Sequence, residues 1–509
     1  MRILITGGET IVGTALVRAL TQDHLVQRYD LSDPADRARA LAAAPGCDAI
    51  VHLVAGLDPA LSPLDELDIA TRGTYDLITM ASPATRFILV GTLRIFARYP
   101  ADWWVTEHWA PRPAATIDNL APYLAELVVR EAARILPLRA TALRLGEVVA
   151  DGTGGPGLAD PRALHLDDAL QAIDRALALV PEPGGTPQGW QVFHIPGGGA
   201  RARFPLELAG RPPLGYTPQH DVTGDPPTAP APPQDPPLGR VAPDTPRARH
   251  KVVLFGAGGP LGVATAEALA PDHRLLLSDR RALTAIAAEN RPQSPGAPLP
   301  RPFGAPHEER VVDVTDPEQV LAAVRGMDVI INSTVVRDHP TEAFRVNTLG
   351  AYHVMRAAVA CGIRRVVHTG PRQLIGGPAG FRDDFDLVDD APMRPGTNLY
   401  FVSKFLGQEI CRIFAEEYAL EVPTLLFSRF ISTATLTAGP TGDHQMLISW
   451  EDAGRAMRQA VDVAAFPRPF EILQITADVP NGRFCNDKAK HLLAWEPLDR
   501  LAGRWRRPS

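Results

Sequence analysis

The stretch Lys251–Gly262, KVVLFGAGGPLG, constrains this chain more than any other. Its apolar run Val252–Phe255 reads as a buried strand, glycines follow at 256, 259 and 262, and VATAEALA over 263–270 reads as a helix. A strand that turns through glycines into a helix N-terminus aims unbonded backbone N–H groups and the positive end of the helix dipole at one point, a cradle for a pyrophosphate. A weaker copy opens at residue 2. There RILIT is followed by Gly7, Gly8 and Gly13, and Thr10 stands where the later stretch has Gly259. A side chain at that place crowds a pyrophosphate lying against the backbone.

Two cradles imply two sheets, and 509 residues are too many for one core. Between them, residues 212–248 are rich in proline and poor in large apolar side chains, which reads as an extended linker. The expected organisation is one domain over 1–211, the linker over 212–248 and a second domain over 249–509. In each half short apolar runs alternate with helical segments, as at 2–6, 86–90 and 141–145, and again at 251–255, 274–278, 328–332, 364–368 and 422–427. This predicts an α/β fold of two tandem doubly wound parallel sheets, each with a small substrate-side lobe. In the second half the lobe draws on about 370–398, 428–449 and 466–486, with Met446 and Trp450 as packing residues.

A formal charge of -7 supplies no broad phosphate-neutralising field, so nucleic acid is not an expected partner. No uninterrupted apolar run is long enough to span a membrane, and the four cysteines form neither a metal spacing nor a disulfide framework. The start lacks the apolar run and cleavage site of a signal peptide, and a cytoplasmic protein is expected.

In the second half Asp279 falls 23 residues after Gly256, at a strand end. A carboxylate there accepts hydrogen bonds from both ribose hydroxyls of NAD and repels the extra phosphate of NADP. Arg280 and Arg281, beside it, keep NADP open as the alternative. Asp313, followed by Val314, reads either as the adenine contact or as a helix N-cap. Tyr400 and Lys404 lie at i and i+4 of one predicted helix, so they share a face. A lysine ammonium beside the cofactor lowers the pKa of a nearby tyrosine, which then exchanges a proton with a substrate alcohol or carbonyl.

These residues together resemble the extended short-chain dehydrogenases/reductases, the NAD-dependent epimerase/dehydratase group. The resemblance covers roughly 1–215 and 249–505, and rests on GAGGPLG at 256–262, Asp279, Asp313-Val314, Asn347-Thr-Leu-Gly350 and Tyr400/Lys404. It implies two Rossmann-type domains, NAD as cofactor, Tyr400 as acid/base and Lys404 on the nicotinamide ribose. It also implies a small-molecule substrate: a sugar, a uronate, or a phosphorylated or nucleotide-linked sugar. Asn332 joins the cofactor residues. Ser333 and Thr334 are substrate-side candidates, and Arg429 and Arg483 are candidates for phosphate or carboxylate recognition.

The second half departs from the pattern at Pro371, where the family places a serine or threonine that hydrogen-bonds the reacting oxygen. Thr369 is the candidate replacement, provided the loop is displaced, and Ser333 or Thr334, after the preceding strand, is the other. The first half departs further. Thr92 falls at the hydroxyl position, but Tyr123 is followed by Leu127 instead of lysine, and Ala70 stands for Asn347. Asp30-Leu31-Ser32-Asp33 resembles Asp313-Val314-Thr315-Asp316, so this half reads as one strand–helix–strand unit shorter, without the ribose carboxylate. It is expected to be a non-catalytic copy that packs on the active half as an intramolecular pseudo-dimer. The expected function is an NAD(P)-dependent oxidoreductase or epimerase. The alternative is a non-enzymatic dinucleotide-binding or scaffold protein with a relic site.

Overall fold

The computed structural model of the chain describes residues 1–56, 61–149, 163–179, 189–198, 203–220, 249–289, 296–377, 386–432, 447–479 and 482–498. The chain divides into two compact units, Met1–Asp235 and Pro236–Ser509. Residues 221–248 of the expected linker, and Met446, lie outside the described residues.

The N-terminal unit carries strands β1 (Arg2–Thr6), β2 (Leu25–Tyr29), β3 (Ala49–Leu53), β4 (Arg86–Thr92), β5 (Arg139–Leu145), β6 (Glu147–Val149), β7 (Ala163–His165) and β8 (Trp190–Ile195). Its main sheet is ordered β2-β1-β3-β4-β5-β8 and is parallel throughout, with β6 and β7 paired separately. All of β3 and most of β1, β4 and β5 are buried, as runs without polar alternation require. The core of this unit reaches past residue 211. Leu214 and Tyr216 are buried in it, and the Tyr216 hydroxyl donates to the Pro196 carbonyl at 2.8 Å. Gln219 and His220 then donate their backbone N–H groups to the buried Asp168 carboxylate.

The C-terminal unit carries β9 (Lys251–Phe255), β10 (Arg274–Asp279), β11 (Glu308–Val311), β12 (Val329–Asn332), β13 (Arg365–Pro371), β14 (Val422–Phe427), β15 (Arg429–Ile431), β16 (Leu447–Ser449) and β17 (Phe470–Gln474). Its main sheet, β11-β10-β9-β12-β13-β14-β17, is again all parallel, and β15 pairs with β16. Trp450 is buried, with its ring stacked on Phe430 at 4.2 Å, in keeping with a packing role.

The two registers correct one expectation. Thr6 pairs with Tyr29 in the first unit, and Phe255 pairs with Ser278 in the second. The next residues, Asp30 and Asp279, therefore occupy the same place, and the ribose-position carboxylate is present in both units. What the first unit lacks is the edge strand β11 and the segment leading to it. Asp30 also opens the same turn as Asp313, since its Oδ1 accepts from Ser32 N as the Oδ1 of Asp313 accepts from Thr315 N. One residue thus stands for two, which is why spacing alone matched it to the wrong partner.

Candidate dinucleotide and catalytic site

In the C-terminal unit the glycine turn is built as a cradle. Gly256 has φ +84° and lies so close to β12 that an added Cβ would sit 2.9 Å from Ser333. Gly259 caps the helix Pro260–Leu269 without a side chain, which leaves the helix N-terminus open to an anion. Asp279 ends β10 and accepts from Gly258 N at 3.1 Å, and a side chain at Gly258 would stand 2.9 Å from its Oδ2. Burial raises the Asp279 pKa, opposed by the N–H groups of Gly258, Arg280 and Arg281. Arg280 and Arg281 are engaged with Glu342 and Glu289.

Across the cradle, Asp313 turns its carboxylate to Thr315 N while Asp316 caps the next helix, so the capping alternative for Asp313 falls to its neighbour. Val314 is buried against Gly350. The Asn332 Oδ1 accepts from the Thr334 hydroxyl at 2.8 Å, and the Ser333 hydroxyl donates to Phe255 O at 2.8 Å. Asn347 bridges Val336 and Ser403, and so ties the turn after β12 to the helix Leu399–Tyr418 that carries Tyr400 and Lys404.

Lys404 is buried, and its Nζ donates to Thr334 O at 3.3 Å. Burial pushes its pKa down to about 8. Tyr400 is half-buried with its pKa raised by burial, and the cation that opposes this is Arg337, not the expected Lys404. The Arg337 guanidinium lies 5.3 Å from the centre of the Tyr400 ring. Sequence spacing missed it because it comes from the turn after β12.

The loop after β13 is not displaced. Pro371 remains in register opposite Phe427, and Thr369 sits two residues deeper, with its hydroxyl donating to Asn332 O at 3.2 Å. Thr369 is a strand residue here and does not fill the place of the missing hydroxyl. Beyond Pro371, the Gln373 amide donates to the Ser428 hydroxyl at 3.2 Å. Arg429 begins β15 and is exposed, and Arg483 accepts at its carbonyl from Leu387 N.

Arg372, unremarked in sequence, is 1% exposed, stacks on Phe484 at 3.7 Å and leaves Nε and Nη1 without partners among the described residues. Burial alone pulls its pKa down to about 10. Leu93 is its counterpart in β4's continuation, one residue after Thr92. No carboxylate among the described residues pairs with it, and a buried cation without a counter-ion costs more than an apolar side chain of similar size. Arg372→Leu is therefore expected to stabilise the protein by about 1–4 kcal/mol. A lowered thermal midpoint in that variant would mean that the guanidinium has a partner after all.

The N-terminal cradle is closed by its own side chains. Thr10 caps the helix Ile11–Leu20; its hydroxyl accepts from Gly13 N at 2.9 Å and donates to Gly7 O at 2.9 Å. Glu9 takes the place of Gly258. The helix Ile117–Ile135 also differs from expectation. Its cap, Thr116, lies as far before Leu145 as the cap Asn398 lies before Phe427, and these strand residues are paired equivalently to Thr92 and Pro371. Asp118 thus stands for Tyr400 and Pro122 for Lys404, and these two, not Tyr123 and Leu127, line the cleft at the strand ends.

The sequence matches the NAD dependent epimerase/dehydratase family over residues 3–164 and again over 252–450. The chain belongs to this family. Curated relatives include a uronate dehydrogenase of Pseudomonas syringae pv. tomato, 28% identical over 180 residues, or 35% of this chain and 58% of the relative. Another is an L-arabinose 1-dehydrogenase (NAD(P)(+)) of Haloferax volcanii, 23% identical over 45% of this chain and 89% of the relative. The chain thus spans little more than half the length of the uronate dehydrogenase. Among solved structures, uronate dehydrogenase from Agrobacterium tumefaciens is 24% identical, with 50% of this chain and 86% of that one covered at a TM-score of 0.39. No helix among the described residues is long and apolar enough to cross a membrane.

Proposed function

We propose that the C-terminal unit is an NAD-dependent dehydrogenase of a free sugar or uronate. The observation that carries this reading is a buried lysine, Lys404, held by Thr334 O one helical turn from Tyr400 and beside a glycine cradle that no side chain obstructs. The residues fit NAD: Gly256, Gly259 and Gly262 leave room for the pyrophosphate, Asp279 meets the adenosine ribose, and Asp313 and Val314 border the adenine. Glutamates occupy Arg280 and Arg281, which favours NAD over NADP. Bound NAD supplies the hydride acceptor. Tyr400 takes the proton of the substrate hydroxyl, Arg337 stabilises the phenolate, and Lys404 holds the cofactor ribose. Gln373 and Ser428 supply the polar contact that Pro371 lacks. The uronate and arabinose dehydrogenase relatives favour this substrate class over nucleotide-linked sugars.

The test is NADH formation at 340 nm with galacturonate, glucuronate and arabinose. No rise with any of them would return the protein to the alternative of a dinucleotide-binding scaffold. Calorimetry is expected to show one NAD per chain. Asp279→Ala is expected to weaken NAD by about 10- to 100-fold, the loss of about 1–3 kcal/mol in charged hydrogen bonds. A stoichiometry of two would show that the N-terminal cradle is open.

A further inference from the structure

The N-terminal unit has lost the dinucleotide cradle and the tyrosine–lysine pair, yet it keeps a cleft. A cavity of about 450 Å³ opens at the C-terminal ends of β1, β3, β4 and β5. Clefts at this edge of a doubly wound sheet are where such folds bind ligands, and the volume suits a monosaccharide-sized molecule.

The charge lining the cleft is inverted relative to the C-terminal site. Asp118 replaces Tyr400, Pro122 replaces Lys404, and Glu147 replaces Arg429, which follows β14 at the same register as Glu147 follows β5. Arg94 is held between two of these carboxylates. Its Nε and Nη2 meet Glu147 at 2.5 and 2.6 Å, and its Nη1 meets Asp118 at 2.9 Å. Its charge is spent inside the wall. Glu66 completes the lining and has no hydrogen-bond or ion-pair partner among the described residues. Burial raises its pKa, with the Asp118 charge as the second cause. Three carboxylates, Glu66, Asp118 and Glu147, against the one guanidinium of Arg94 leave the charge of the described lining negative, which disfavours an anionic ligand. The floor, which includes Val12, Leu53, Val90 and Leu145, is apolar.

We propose that this cleft binds a small organic cation, an amine of about monosaccharide size. Its ammonium group meets Glu66 and Asp118, and its body lies on the apolar floor. The site is a binding site and not a second active site, since no group in its described lining matches Tyr400 or Lys404.

The test is calorimetric titration of the full chain with D-glucosamine and with spermidine, beside D-glucuronate as the anionic control. Glu66→Lys is the informative variant, because Glu66 has no partner among the described residues to lose. The expected result is saturable binding of at least one amine, weakened at least about tenfold by Glu66→Lys, an effect of about 1.4 kcal/mol. Hydrogen-exchange protection in β1 and β3 should be unchanged in the same variant, as the check on the fold of the N-terminal unit. Amine binding unaffected by Glu66→Lys would overturn the proposal. So would glucuronate binding that this variant strengthens without any amine binding, or no amine binding up to millimolar concentration.

Discussion

Tyr400→Phe is expected to lower kcat for sugar oxidation by about 10²- to 10⁴-fold while leaving the affinity for NAD nearly unchanged, since the hydroxyl serves the proton transfer and not the cofactor. The ring keeps its packing and its contact with Arg337, so the loss reports chemistry rather than folding. Lys404→Met should differ. It removes a buried group whose Nζ is fixed to Thr334 O, and both NAD affinity and kcat are expected to fall. Arg337→Ala separates the roles further. Without the guanidinium the tyrosine loses a cation that opposes its burial, so the rising limb of the pH–rate profile should move to higher pH. A Tyr400→Phe enzyme that turns over at the parent rate would remove the residue from the mechanism and leave Gln373 and Ser428 as the groups to examine.

The second large effect is on stability in acid. His52 is fully buried between the hydroxyls of Thr6 and Thr74, and burial, aided by Arg37, pulls its pKa down to about 3. His194, also buried and facing Arg144, is held well below the ordinary value of 6.5. The unfolded chain takes up two protons near pH 6.5 that the folded N-terminal unit refuses, so stability falls as pH falls through that value. Asp76 works the other way. Burial raises its pKa to about 6, so the folded state accepts a proton before the unfolded one does. With each histidine costing about 1.4 kcal/mol per pH unit below 6.5 and Asp76 returning as much below 6, the N-terminal unit should lose about 3 kcal/mol between pH 7.5 and 5. Hydrogen exchange in β1 and β3 measures this directly. His194→Gln places there the residue found at the equivalent point of the C-terminal sheet, Gln474, and should remove about half of the histidine contribution. Protection that is the same at both pH values would mean that these imidazoles are protonated in the folded state.

The parallel sheets and the cofactor cradle were legible because each rests on a local pattern: an apolar run, a glycine spacing, an acid 23 residues on. The same logic identified Tyr400 and Lys404 as a helical pair. What stayed hidden was set by register across strands. Asp30 resembles Asp313 by its neighbours but occupies the place of Asp279, and only the pairing of β1 with β2 shows this. Asp118 and Pro122 escaped notice because Tyr123 offered a more familiar residue five positions later. Arg337 and Arg372 matter through burial and approach, which no spacing encodes.

The missing edge strand also bears on how each sheet avoids sticking to other chains. Among the described residues β2 is the border strand of the N-terminal sheet, and it exposes Gln27 and Arg28 beside Leu25. A charged side chain such as Arg28 on a border strand discourages intermolecular pairing. In the C-terminal unit the corresponding strand, β10, has Leu275, Leu276 and Leu277 buried and is paired at its edge with the charged strand β11. Trimming that unit to the shorter plan would open the backbone edge of a leucine-rich strand to pairing with other chains. The first half is thus a sequence fitted to a narrower sheet, and the two halves are not interchangeable.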